Sequence, residues 1–256
     1  MADTTPLLEV KGITKRFGAV RALNGVDFRV MPGEVVGLVG DNGAGKSTLV
    51  KVISGIHPAD EGEYLWQGQP TTVNTPHDAT DLGIATVYQD LALCDNLDVV
   101  ENLYLGREAV TGGLLDEVTM EQKANDLLDE LSVTTIQSVR GEVGAMSGGQ
   151  RQSVAIARSL LGEPKMVILD EPTAALGVAQ TAQVLALIKR LKARGLGVIV
   201  ISHNLRDVFE VVDRIFVMRL GGPGGEFDVR TTNEQEVVAA ITGLSGNGKA
   251  EGATAR

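Results

Sequence analysis

Four short apolar runs rich in β-forming residues punctuate the chain: VVGLVG at 35–40, GIATVYQ at 83–89, MVILDE at 166–171 and GVIVISH at 197–203. Runs of this length read as strands buried on both faces, and the helical segments between them predict a mainly parallel sheet. A different period follows residue 147. Val154, Ala157 and Leu161 fall on one face of a helix that Ser147 caps and that Gly162 and Pro164 close, and Gln150 can return a hydrogen bond to complete a capping box. Gly148 and Gly149 sit in its first turn, although glycine costs up to about 1 kcal/mol against alanine in a helix. Either they form a flexible turn, or bare backbone N–H groups at a positive helix end are left open for an anion.

The far ends of the four strands carry the chemistry. They deliver a glycine-rich loop, Gln89, the pair Asp170 and Glu171, and His203. Ligands of open α/β sheets bind outside the carboxyl ends of strands, so these groups are expected at one site. The loop GDNGAGKS, Gly40 to Ser47, fits G-x-x-x-x-G-K-[ST] between a strand and a helix that begins STLVKVI. That is the context in which backbone N–H groups cradle the phosphates of a nucleotide. Here Gly43, Ala44, Gly45, Lys46 and Ser47 would supply them, with Gly40, Asn42 and Thr48 completing the contact set. Lys46 would reach the β and γ phosphates and the Ser47 hydroxyl would ligate Mg²⁺. A plain glycine turn leaves Lys46 unexplained.

A carboxylate after four apolar strand residues is desolvated unless a cation lies near it, which makes Asp170 the metal-side carboxylate beside Ser47. Glu171, one residue on, is placed to orient water or accept its proton. Gln89 and His203 have structural readings of their own, as a turn cap and a surface histidine. Their positions instead suggest groups that sense the γ phosphate, with Gln89 also a candidate on the metal side. Ser147, Gly148, Gly149 and Gln150 would form a second anion site in a chain that has only one phosphate loop, and the surplus suggests a head-to-tail dimer.

Composition narrows the partners. The net charge of −10 argues against nonspecific nucleic-acid binding, and no nucleic-acid partner is expected. A single cysteine, Cys94, excludes an internal disulfide and fits a reducing cytosol. There is no apolar run of about 18 residues and the start MADTTPLLEV lacks the regions of a secretory signal, so the chain is expected neither to cross a membrane nor to leave the cell. The small, polar stretch from 244 to 256 reads as a disordered tail after one domain, 1–243.

GDNGAGKST, TVYQD, MSGGQRQSVAIAR, VILDEP and ISHN, in this order, resemble the nucleotide-binding subunits of ABC transporters over about residues 7 to 243. The resemblance implies an α/β P-loop NTPase with a mainly parallel core sheet, an N-terminal antiparallel β subdomain and an α-helical subdomain inserted at about 90–160. It implies a Mg²⁺-dependent ATPase at the cytoplasmic face of the membrane. It also assigns to Phe17, just before GAVRAL, the stacking of adenine, against the alternative of a core aromatic. QDLALCDNLDVVENLYLGRE, DEPTAALGV and SHNLRDVFEVVDRI resemble the monosaccharide importers of the ribose, xylose and fructose type. Many of those ATPases are two fused copies and this chain has one, which implies a homodimer in the ATP-bound state on separate membrane permease subunits, fed by an extracytoplasmic sugar-binding protein. Importers of nucleosides or other small solutes are the nearest alternative, and a soluble ABC ATPase acting on ribosomes or DNA a more distant one. The chain departs from the common pattern at Gly177, where most relatives carry an aspartate that links the two sites.

Overall fold

The computed structural model describes residues 5–244. The expected tail therefore lies, from residue 245 on, outside the described residues. The chain opens with two long antiparallel strands, β1 (Leu8–Phe17) and β2 (Val20–Val30), followed by β3 (Val35–Gly40) and α1 (Lys46–Ile53). Next come β4 (Glu61–Trp66), β5 (Gln69–Thr71), α2 (Pro76–Asp81) and β6 (Ile84–Val87). The following segment holds α3 (Val99–Tyr104), the small hairpin β7 (Val110–Thr111) and β8 (Leu114–Leu115), α4 (Glu117–Glu130) and α5 (Gly148–Leu160). The chain then alternates β9 (Met166–Asp170), α6 (Val178–Ala193), β10 (Gly197–Ile201) and α7 (Leu205–Val211), and closes with β11 (Arg214–Arg219), β12 (Gly222–Asp228) and α8 (Glu234–Thr242).

The main sheet has the order β12-β11-β3-β10-β9-β6, parallel except for β12 at one edge. The four apolar runs are its central strands and one flank. Side chains alternate across the sheet, and the two faces found two cores. Val36 and Leu38 of β3 join Leu49 and Ile53 of α1 and Leu8, Val26 and Phe28 of the sheet β2-β1-β4-β5. Val35 and Val39 face the other way, into the cluster holding Leu103, Ile156, Ile188 and Val237 of the helices. The phosphate-loop strand is thus buried from both sides, which fixes where its loop emerges.

Two features go beyond the apolar runs. β11 and β12 extend the sheet past the four strands read from the sequence. The inserted segment holds α3, α4 and α5, while residues 88–98 contain no helix and β7 and β8 form an exposed hairpin. The reason is local: Asp98 caps α3 through a capping box with Glu101, so the helix cannot begin earlier.

Candidate nucleotide site

Gly40 and Gly45 are required by space as well as by conformation. Gly40 has φ 151 and a Cβ there would lie 2.2 Å from the Met218 carbonyl oxygen; Gly45 has φ 103 and its Cβ would lie 2.7 Å from that of Ala22. The loop is therefore clamped between β2 and β11, with Lys46 folded across it. The Lys46 Nζ donates to the carbonyls of Gly40 at 2.8 Å and Asp41 at 2.9 Å, so the loop holds its curve without a ligand. Burial pulls the Lys46 ammonium below its ordinary range, an effect that Glu171, Asp41 and Asp170 oppose.

The loop lines a cleft of about 550 Å³. Asn42, Gly43, Ala44, Gly45, Lys46, Ser47 and Thr48 form one wall, and Gln89, Asp170 and Glu171 reach it from the ends of β6 and β9. Residues far apart in sequence converge because β9 sits between β10 and β6, one strand away from β3. Gln89 lies two residues beyond β6, exposed, instead of ending the strand as expected. Burial, reinforced by the Glu171 carboxylate, pushes the Asp170 carboxyl above the usual range, and Lys46 offsets this only in part. An oxygen donor set of hydroxyl, amide and a carboxylate short of a cation suits Mg²⁺. Among the described residues no three His, Cys, Asp or Glu side chains form a metal site of their own. A metal here would have to share its coordination with a phosphate.

Glu171 follows β9 with φ 50, in the left-handed region, and its N–H donates to the Ile201 carbonyl at 2.9 Å. Its carboxylate pairs with the Nδ1 of His203 at 2.9 Å. His203 does not line the cleft; it reaches the site through Glu171.

Phe17 is 45% exposed and belongs to neither core, which removes the reading of a core aromatic. Its ring meets His57 edge-on at 5.1 Å and is not among the groups lining the cleft. Val20 and Leu220 are the cleft's exposed large apolar groups, 65% and 80% exposed, with Arg21 beside them. These three were missed from sequence, because a valine and an arginine that open a strand and a leucine in a turn carry no motif.

The capping box at α5 forms as expected: the Ser147 hydroxyl accepts from the Gln150 N–H and the Gln150 side chain accepts from the Ser147 N–H. The Gln150 amide also donates to the Thr135 carbonyl at 2.6 Å. Gly148 and Gly149 have a reason inside the chain, since a Cβ on either would lie 2.9 Å from the side chain of Leu176 or Gln180 respectively. Close packing against the start of α6 thus explains both glycines without a dimer. None of Ser147, Gly148, Gly149 and Gln150 lines the phosphate-loop cleft; Gly148 alone lines a neighbouring one of about 440 Å³ with Gln89 and Glu171.

A phosphate loop after the first strand of a parallel sheet, with the Asp170 and Glu171 carboxylates and Gln89 opposite it, defines a P-loop nucleotide-binding domain. The ABC transporter family model matches residues 23–174. Over 239 residues the chain is 44% identical to the xylose/arabinose import ATP-binding protein of Sulfolobus acidocaldarius, covering 93% of this chain and 95% of that protein. It is also 44% identical to the fructose import ATP-binding protein of Rhizobium meliloti, with 93% and 94% covered. A ribose import ATP-binding protein of Rubrobacter xylanophilus is 42% identical, and there the chain spans 48% of the relative's length. Among solved structures, a nucleotide-free ATP-binding cassette from an ABC transporter superposes with a TM-score of 0.78 at 29% identity over 93% of this chain and 95% of that one. A dimeric cassette bound to ADP and Pi gives 0.73 at 27% identity, over 88% and 100%. The chain belongs to the ABC transporter family and has the fold of its ATP-binding cassettes.

Proposed function

We propose that the chain is the Mg²⁺-dependent ATPase subunit of an ABC importer that takes up a monosaccharide through separate membrane permease subunits. The observation that carries the ATPase is the convergence of Lys46, Ser47, Gln89, Asp170 and Glu171 on one cleft. The backbone N–H groups of the loop and the Lys46 ammonium would neutralise the phosphates, and Val20 and Leu220 offer apolar walls for the base. Ser47, Asp170 and Gln89 would hold Mg²⁺, which when bound supplies charge stabilisation at the phosphates. Glu171, held by His203, would orient the attacking water and take up its proton.

The cleft takes no residue from Ser147 to Gln150, although these present a helix N-terminus whose hydroxyl is exposed. A second copy of the chain would bring that N-terminus to the γ phosphate, and the dimeric cassette of the same fold supports this arrangement. Two relatives named for xylose/arabinose and fructose import, matched over nearly their whole length, support the sugar class. An extracytoplasmic sugar-binding protein would feed the permease. No helix among the described residues is long and apolar enough to cross a membrane, which fits peripheral attachment to a permease at the cytoplasmic face. The test is affinity purification of the full chain from native membranes. Co-purification of a permease whose binding protein takes a monosaccharide is the expected result; a nucleoside-specific partner, or ribosomes, would overturn the sugar assignment.

A further inference from the structure

The turn between β11 and β12 breaks two local rules at one residue. Arg219 pairs with Gly222, which leaves Leu220 and Gly221 as a two-residue hairpin turn. Both have positive φ, 49 and 80, the geometry that asparagine or aspartate before glycine adopts most easily. Leucine stands there instead, in the left-handed region and 80% exposed. Strain and exposed apolar surface both count against it, and it belongs to neither core. A residue that breaks turn chemistry without a gain inside the chain is expected to find one outside it.

The turn is tied to the phosphate loop. The Gly221 N–H donates to the Ala44 carbonyl at 3.0 Å, and the Gly221 carbonyl accepts from the Asn24 N–H at 2.8 Å. Leu220 is thereby fixed at the phosphate cleft, which Val20 lines as well. The order of the sheet says at which end. β11 lies beside β3 on one side of the loop, while Asp170, Glu171 and Gln89 come from the ends of β9 and β6 on the other. A nucleotide whose terminal phosphate meets those three groups would lie with its base toward β11. We propose that Leu220, together with Val20, grips the apolar face of the base and so makes the site select a nucleoside phosphate over a bare polyphosphate. This rests on the nucleotide reading above. Contact with the base removes the leucine side chain from water and offsets the strain of its backbone.

The test compares ADP, which carries the base, with pyrophosphate, which has two phosphates and no base. Both are measured on the full chain with Mg²⁺, ADP by calorimetric titration and pyrophosphate by its displacement of bound ADP. Leu220→Asn is expected to weaken ADP about tenfold and to leave the pyrophosphate Kd within about twofold. The same change should raise the Tm of the nucleotide-free chain by about 2 °C, since asparagine before glycine suits the turn. Leu220→Met keeps the apolar surface and should hold ADP within about threefold of wild type. An unchanged ADP affinity in Leu220→Asn, as when Phe17 alone holds the base, would overturn the role. So would equal losses for ADP and pyrophosphate, or a lowered Tm, either of which marks Leu220 as a support of the loop. Lys46→Ala run alongside is expected to weaken both ligands and separates the two levels. If it weakens neither, or if pyrophosphate fails to displace ADP from the wild type, the nucleotide reading fails and the role of Leu220 with it. If it weakens both while Leu220→Asn binds ADP normally, only the role of Leu220 fails.

Discussion

The imidazole Nδ1 of His203 lies 2.9 Å from the Glu171 Oε2, on a side chain that is 75% exposed while that of Glu171 is only 17% exposed. The histidine thus anchors the carboxylate proposed as the base from the solvent side, and Glu171 follows the end of β9 with a left-handed backbone.

His203→Ala is expected to lower kcat at least about tenfold and to leave nucleotide affinity nearly unchanged, because the ring orients Glu171 and does not line the cleft. Steady-state kinetics beside equilibrium nucleotide binding checks the split. A weakened affinity with kcat intact would show that His203 contacts nucleotide directly.

Asp170 is held in the protein at a cost. Its carboxyl is pushed above the usual range, so the folded chain keeps the proton at a pH where the unfolded chain has released it. The penalty is absent below the ordinary carboxylate value and fully present once pH has passed the raised one. Asp170→Asn should therefore raise the Tm of the nucleotide-free chain by a few degrees at neutral pH, with the gain shrinking as pH falls toward about 4. The same variant should lose the Mg²⁺ dependence of nucleotide binding. A Tm gain independent of pH, or a lower Tm at neutral pH, would contradict the assignment of strain to this carboxylate.

Much of this site is legible in the sequence because each strand that builds it announces itself. VVGLVG and MVILDE are continuous apolar runs that must be buried on both faces, and whatever follows them must surface at the same edge of the sheet. The packing that positions these groups is not legible in that way. Gly148 and Gly149 read as an anion site, yet the space they need is set by Leu176 and Gln180, residues that only the fold brings beside them. Asn102 shows no motif, and its hydrogen bonds to the backbone of Cys94, Leu97 and Asp98 appear only in the fold. β11 and β12 escaped because RIFVMR and GPGGEFD mix charge and glycine with apolar residues, and β12 is an edge strand with little need of an apolar pattern.

Gly177 caps α6 with extended backbone, and a Cβ there would meet nothing within 4 Å. Only the Gln180 side chain returns a hydrogen bond to its N–H, at 3.3 Å. Gly177→Asp therefore fits without strain and should add a few tenths of a kcal/mol as a better helix cap. Turnover should stay within about tenfold of wild type, a barrier change of about 1.4 kcal/mol or less. An inactive wild type that gains turnover from this change would mark the chain as a degenerate subunit.

The central claim is that one chain holds the phosphates and a second copy completes the site. Glu171→Gln keeps every group that binds nucleotide while removing the base, so it isolates assembly from hydrolysis. The direct measurement is the solution mass of this variant by light scattering with Mg²⁺ and saturating ATP. A mass twice that of the chain, falling to the monomer value when ADP replaces ATP, is the predicted result; a chain that binds ATP and remains monomeric would contradict the account.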